Sequence, residues 1–392
     1  MTVPNSPTHP APPNSPAHPA PPNPPTHQPV PLVDLAAQHA AVADEVAAGW
    51  AEVLAKTAFI GGPAVGAFEA EFAAFSGVRH CVGVGNGTDA IELALRALGV
   101  GPGDECVLPA NTFIATAEAV ARAGATPVLV DCAEDTLLMD VDQLDAVVGP
   151  RTRAVLPVHL YGQTAPVELV RPIAERVGAA VVEDSAQSQG AKRHGRVAGS
   201  LGDIAATSFY PGKNLGAYGD AGGIMTDDDD LAARVRLLRE HGSPRKYEHP
   251  VLGFNSRMDT LQAVVLRAKL ARLAGWNAAR REAAARYDAL LAELPAVVRP
   301  VVLDGNEPVW HLYVVRVPDR DRVLAGLHAE GIGAGIHYPV PVHRTGAFPD
   351  LATGSFPVAE KTAGELLSLP LFAEITPAQQ ERVVDVLARV VR

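Results

Sequence analysis

Lys213 stands in the stretch Ser208-Phe209-Tyr210-Pro211-Gly212-Lys213-Asn214-Leu215-Gly216-Ala217-Tyr218-Gly219-Asp220, among glycines and aromatics just after an apolar run. No neighbouring cation repels it and no run of carboxylates pairs with it. A lysine in such a pocket loses its proton well below its usual value of about 10.4 and becomes a nucleophilic amine. Upstream, the apolar run Ala179-Ala180-Val181-Val182 ends in Glu183-Asp184. A carboxylate at the end of a buried strand and a pocket lysine are what pyridoxal phosphate chemistry requires. The lysine makes the Schiff base, and the aspartate keeps the pyridine nitrogen protonated. A lysine in a glycine-rich loop is more often only a loop lysine, so this segment alone leaves both readings open. The phosphate-cradling P-loop is excluded, because Asn214 follows Gly212-Lys213 and position 207 is threonine.

A second group is Gly83-Val84-Gly85-Asn86-Gly87-Thr88-Asp89, at a strand-to-helix junction. Backbone amides at a helix N-terminus carry about half a positive charge and hold phosphate. A dinucleotide site fits less well, since Thr88 replaces the third glycine and the next strand ends in Pro109-Ala110 without an acid for a ribose. A purely structural tight turn remains the rival. Phe113 follows a strand end and could pack over a flat ring, although an aromatic there is more often core. Asp227 to Asp230 precede the helical pattern Leu231 to Glu240, so helix capping explains them better than a metal does.

The elements that must position these residues alternate along the chain. Helices are expected over residues 68–75, 89–98 and 167–177, and strands over 81–84, 105–108, 127–130, 154–160 and 179–183. Such alternation implies an α/β fold with a mainly parallel sheet covered on both faces. Ligands gather at the carboxyl ends of such strands. Asn86 to Asp89, Asn111 to Phe113, Asp184 to Gln187 and the Lys213 loop all fall there. A long helix is expected from about Met258 to Leu294, with a break at Gly275 and a capping box in Ser256-Arg257-Met258-Asp259. A strand over 310–317 and helices over 321–329 and 377–391 complete a smaller C-terminal α/β domain.

Residues 1–31 stand apart as three copies of a nine-residue unit, with thirteen of the 34 prolines and no charged residue. Such a segment cannot build a core and reads as an extended, disordered tail. Its histidines His9, His18 and His27 are separated by roughly 28 Å if the tail adopts polyproline II, too far to share one ion. The organisation is thus a tail, a large domain over 32–257, and a linking helix with a small domain over 258–392. The net charge of -11 argues against nucleic acid and anionic membranes as partners. No run is long enough to span a bilayer, no signal peptide is recognisable, and three dispersed cysteines suggest reduced thiols and no metal site. A cytoplasmic protein is expected.

With these motifs in order, the chain resembles the DegT-type nucleotide-sugar aminotransferases. The resemblance runs from Val30 to the C-terminus. It is carried by Gly85 to Ala90, Pro109 to Thr116, Pro157 to Gln163, Glu183 to Gln187, Ser208 to Asp220, Phe254 to Asp259, Val309 to Tyr313 and Gly335 to Pro339. It implies the aspartate-aminotransferase fold (fold type I of the pyridoxal phosphate enzymes) and a pyridoxal 5'-phosphate cofactor that passes through pyridoxamine phosphate. By the same resemblance Lys213 carries the cofactor and Asp184 pairs with its ring nitrogen. Gln187 lies near the phenolic oxygen and Phe113 stacks on the ring. The amides of Gly87, Thr88 and Asp89 and the Ser208 hydroxyl hold the phosphate. Asn255 reaches that phosphate from the partner subunit of a homodimer, and Arg257, His311, His337 and Tyr338 lie near the sugar nucleotide.

The chain departs from the family pattern at Asp220-Ala221-Gly222-Gly223 and at Gln189, where relatives often carry histidine. The activity implied is a ping-pong transfer of an amino group from glutamate to a keto-sugar on a nucleoside diphosphate, a 3-keto-deoxyhexose on dTDP or UDP. Arg245, Lys246, Arg257, His343 and Arg344 are candidates for a local basic patch toward such an anion. The alternatives are a cyclitol or other keto-sugar as acceptor, a dehydratase (against which Lys213 argues) and a non-catalytic sugar-nucleotide-binding protein.

Overall fold

The computed structural model describes residues 28–352 and 354–392, so the proline tail up to residue 27 lies outside the described residues. Residues 30 and 31, assigned to that tail by composition, run with the folded chain. Val30 is buried and pairs with Ile332, with its amide donating to Gly331 O at 3.0 Å.

Seven strands form the central sheet: β1 (His80–Val84), β2 (Glu105–Pro109), β3 (Thr126–Val130), β4 (Thr152–Val155), β5 (Ala180–Asp184), β6 (Ile204–Ser208) and β7 (Gly222–Thr226). Their order is β1-β7-β6-β5-β4-β2-β3. Pairing is parallel from β3 through β6, and β7 is antiparallel to both of its neighbours. Apolar residues continue on both strand faces, as a doubly covered sheet demands. The helix Gly87–Ala97 buries Ile91, Leu93 and Leu95, and each such side chain contributes roughly 1.5–3 kcal/mol by leaving water.

Two strands come out shorter than their apolar runs. The run 154–160 is regular strand only over β4, but it stays bonded to the sheet beyond Val155, with Val158 bridging Asp184 in parallel at the end of β5. Asp184 N donates to Pro157 O and His159 N donates to Asp184 O, each at 3.0 Å. The run 310–317 is strand only over Tyr313–Arg316. Before it, Trp310 takes a left-handed backbone (φ 47°), and the amides of Val309 and Leu312 bond Gly162 and Tyr161 instead.

The helix Thr260–Leu290 passes through Gly275 without interruption, since buried residues from Thr260 to Tyr287 hold it on both sides of the glycine. Ser256 does not cap it. Asp259 occupies the cap position without a side-chain bond, and the Thr260 amide finds Phe59 O at 2.9 Å. Tyr287 at its end packs in a second core with Tyr313, Val323, Leu367, Val383 and Leu387. That core belongs to the antiparallel pair Tyr313–Arg316 and Leu366–Leu369 and the helices Arg320–Ala329 and Pro377–Val390. Asp228 caps the helix Asp229–Arg239 by accepting from the amides of Asp230 and Leu231, so the aspartate run is accounted for by capping.

A buried ion network fixes the functional end of β5. Glu183 is fully buried and accepts from the amides of Gly199, Leu201 and Gly202 at 2.6–2.7 Å. His159 accepts the Ala165 amide on Nδ1 at 3.0 Å, so its Nε2 carries the proton and donates to Glu183 at 2.7 Å. Burial pushes the Glu183 carboxyl up, but the His159 bond and the amides outweigh it and leave the group below the ordinary carboxylate range. Its stabilisation is therefore complete above an unfolded value of about 4.3 and is lost as pH falls through the lower folded value. Glu183→Gln is expected to cost about 3 kcal/mol at neutral pH. In denaturant titrations, that deficit should shrink on acidification below about pH 4.

Candidate active site

Asp184 ends β5 with 6% of its surface exposed. Its Oδ2 accepts from Thr116 Oγ1 at 2.7 Å, and its Oδ1 accepts from the Ala186 amide at 3.2 Å. Thr116 is in turn held by Thr112 at 2.8 Å. These bonds fix the carboxylate while leaving lone pairs for a further donor. Thr116 was not anticipated as a site residue, although it closes one of the motifs that carry the resemblance.

Lys213 lies on the loop that returns from β6 to β7. Phe209 anchors the loop's start, fully buried and edge-on to Phe68 and Phe72, with ring centroids 5.3 and 5.2 Å away. The backbone then folds back: Phe209 N donates to Ala221 O and Ala217 N to Phe209 O, both at 2.8 Å. A side chain at Gly216 would collide with the Pro211 carbonyl, so glycine is required there. Among the described residues the Lys213 Nζ makes no hydrogen bond. Loss of hydration pushes the amine down to about 8, and the opposing Asp184 charge limits the fall. The loop thus places an amine of lowered basicity within range of the Asp184 charge.

The N-terminus of the helix Gly87–Ala97 abuts the ends of β6 and β7. A Cβ on Gly87 would lie 2.6 Å from Ser208 Cβ, and one on Gly222 would collide with Asn86 O. These two glycines let the helix end sit directly on Ser208, and Gly222 belongs to one of the departures from the family pattern. The Asp89 amide, expected to face a phosphate, donates to the capping Asn86 Oδ1 at 2.8 Å. The amides left for an anion are those of Gly87 and Thr88. The Asp89 carboxylate accepts from Ser256 Oγ at 2.8 Å and pairs with Arg122 at 3.2 Å, and Ser256 also receives the Gly85 amide. Ser256, read from sequence as a helix cap, is therefore a brace for this turn.

Gln187 accepts the Tyr161 amide at 2.7 Å and donates to the Tyr338 hydroxyl at 3.0 Å. Tyr338 also meets Phe113, whose half-exposed ring lies with its centroid 5.0 Å away. Tyr161 holds a left-handed backbone (φ 59°), and its hydroxyl donates to the His337 carbonyl. Tyr161 was not anticipated as a site residue, although it lies within the motif Pro157 to Gln163 that carries the resemblance. His337 Nδ1 bonds Ser368 Oγ at 2.7 Å, and burial with the nearby Lys213 charge pushes its ring down to about 4. His311 is likewise driven well below its ordinary value by burial, then by Lys213, Arg280 and His337. Among the described residues its buried Nδ1 has no partner. Both imidazoles are neutral at physiological pH.

Gln189 donates to the oxygens of Ala186, Thr207 and Ser208, at 2.8 to 3.2 Å. It braces the end of β6. The remaining expected site residues stand apart from this cluster. Asn255 is exposed and accepts from Arg257 at 2.9 and 3.1 Å, and Arg257 pairs with Glu240 at 3.2 Å. His343, a candidate for a basic surface, is fully buried against Glu360, which also takes Arg344. It is not available to a ligand. A cavity of about 820 Å³ lies elsewhere, between the helices Ala43–Lys56, Pro63–Ser76 and Thr260–Leu290, and none of these site residues lines it.

The residues present fit pyridoxal phosphate on three counts: a buried carboxylate at a strand end, an amine of depressed basicity, and a glycine cradle with unpaired amides. Gly87→Ala is expected to weaken affinity for pyridoxal phosphate by at least about tenfold by driving the helix end off Ser208. Absorbance titration of the cofactor-free variant measures it.

Known proteins are similar to this chain over most of its length. The signature of the DegT/DnrJ/EryC1/StrS aminotransferase family matches residues 41–388. The chain is 47% identical over 367 residues to a pleiotropic regulatory protein of Geobacillus stearothermophilus, covering 93% of this chain and 99% of that one. It is 47% identical over 358 residues to the dTDP-3-amino-3,4,6-trideoxy-alpha-D-glucose transaminase of Streptomyces venezuelae, with 91% and 94% covered. The solved structure of S. venezuelae DesV in complex with a ketimine intermediate superposes with a TM-score of 0.90 at 46% identity, covering 93% of this chain and 98% of that one. The chain belongs to the DegT/DnrJ/EryC1/StrS aminotransferase family, whose enzymes work with pyridoxal 5'-phosphate.

Proposed function

We propose that this protein transfers an amino group from glutamate to a keto-sugar carried on a nucleoside diphosphate, a 3-keto-deoxyhexose on dTDP or UDP. The observation that carries this reading is the buried Asp184 carboxylate set against a Lys213 amine lowered to about 8. The Streptomyces relative, a dTDP-sugar transaminase by name, supports the acceptor class.

Pyridoxal phosphate, when bound, supplies an electron sink and carries the amino group between the two half-reactions. The chain supplies attachment, orientation and proton transfer. Lys213 would hold the cofactor covalently, and its Nζ, once released, takes a proton from the amino donor's α-carbon and returns one. An amine near 8 suits this work, because both protonation states are populated near neutral pH. Asp184 would keep the ring nitrogen protonated, and Thr116 and the Ala186 amide hold its carboxylate in place. Gln187 would meet the phenolic oxygen and Phe113 one ring face. Gly87, Thr88 and Ser208 would hold the phosphate. His311 Nδ1 is an unpaired acceptor or donor for a polar substrate group, and His337 and Tyr338 stand beside it as neutral partners.

Asn255 and Arg257 do not join this cluster within one protomer. In our reading they serve the site of the partner subunit, so that the active unit is a cytoplasmic homodimer. Among the described residues, no helix is long and apolar enough to cross a membrane.

The regulatory name of the Geobacillus relative favours a second reading, a protein that binds a sugar nucleotide without turnover. Absorption spectra separate the two. The purified protein should show a visible band that glutamate moves to the near ultraviolet, and Lys213→Ala should show no such response. No band after pyridoxal phosphate is added would reject the enzyme reading and favour the binding protein.

A further inference from the structure

A second lysine sits behind the first. Lys269, on the helix Thr260–Leu290, is only 2% exposed. Its Nζ donates to Gly216 O at 2.7 Å and to Gln38 Oε1 at 2.8 Å, and lies 4.5 Å over the Tyr218 ring. Among the described residues no carboxylate pairs with it. Gln38, on the short helix Leu35–Ala40, donates in turn to Asn214 O at 3.4 Å. Both carbonyls belong to the loop that carries Lys213. Two turns further along the same long helix, Asn277 accepts from the Asn214 side chain at 2.9 Å.

A buried lysine with no counter-ion is expensive, and desolvation pushes this amine down to about 8. Methionine would fill the same space without that cost. What methionine cannot supply is a pair of N–H donors aimed at one loop carbonyl and at the glutamine that bonds another. The Tyr218 ring completes an all-electron-rich seat for the ammonium. The partners of these contacts, Gln38, Gly216, Tyr218 and the Asn214 carbonyl, are not residues placed in the cofactor site.

We propose that Lys269 is a positioning residue for Lys213. Its ammonium, with Gln38, clamps the carbonyls of Gly216 and Asn214 to the long helix and so fixes the backbone from which the Lys213 amine projects. The inference rests on Lys213 as the point of cofactor attachment. Its consequence is kinetic: loosening the loop misplaces the proton-carrying amine, while none of the clamp's contacts is with a residue placed near the substrate.

The test compares wild type with Lys269→Met, Gln38→Leu and the double variant. In the cofactor-free proteins, amide hydrogen exchange over residues 211–218 should quicken about tenfold in Lys269→Met, less in Gln38→Leu, and no further in the double variant. In the holoenzymes, the rate at which glutamate bleaches the visible band should fall about tenfold or more at saturation, with the glutamate KM within about twofold of wild type. Unchanged exchange in the loop would overturn the proposal, as would faster exchange spread evenly over all helices. A KM that rises while the saturated rate holds would also overturn it. A wild-type protein that binds no pyridoxal phosphate would reject the functional reading alone, because the exchange measurement judges the clamp without cofactor.

Discussion

The structure depends on one electrostatic arrangement, a carboxylate at the tip of β5 and an amine on the loop after the neighbouring β6, both drawn out of water. Asp184 is held at the tip of β5 by Thr116 and a backbone amide. Lys213, on the loop between β6 and β7, lies close enough to feel its charge. Burial alone would drive the amine further down, and the Asp184 charge holds it at about 8. That balance gives a nucleophile and a proton carrier in one group near neutral pH. A parallel sheet provides it naturally, because its strand ends open on one edge where loops of separate origin meet.

Around this pair the protein spends buried polar groups on rigidity. Glu183, the residue before Asp184, ties β5 to the 199–202 turn and to His159. Ser256 ties Asp89 to Gly85, and Gln189 ties the end of β6 to the turn after β5. Glu183, Ser256 and the Gln189 Nε2 are hydrogen-bonded where they would otherwise be costly to bury. Lys269 fits the same pattern from behind the Lys213 loop. The glycines at 87 and 222 have the complementary task, removing side chains so that the helix end, Ser208 and β7 meet at backbone distance.

Much of this was legible in the sequence because chemistry-bearing residues sit at the ends of periodic apolar runs. Lys213, Asp184, Gln187, Phe113 and Ser208 each follow such a run, and the alternation of elements gave their common edge. The failures are local. Ser256 has capping-box spacing, but its hydroxyl is claimed by Asp89, which lies 167 residues away in the chain. The Asp89 amide was assigned to a phosphate, but Asn86 competes for it as a helix cap. His343 read as a surface cation and is buried against Glu360. Sequence spacing reports local hydrogen-bond opportunities, and tertiary partners decide which are taken. Lys269 carries no motif at all, since only the fold places Gly216 and Gln38 at its amine.

The most direct test is the titration of the Lys213 amine itself. Peptide-resolved rates of amine modification against pH, in cofactor-free wild type and in Asp184→Asn, report its protonation in place. The account predicts a wild-type midpoint near 8, and a lower midpoint in Asp184→Asn because the stabilising negative charge is gone. A wild-type midpoint near the ordinary lysine value of about 10.4, or one that Asp184→Asn leaves unmoved, would contradict it.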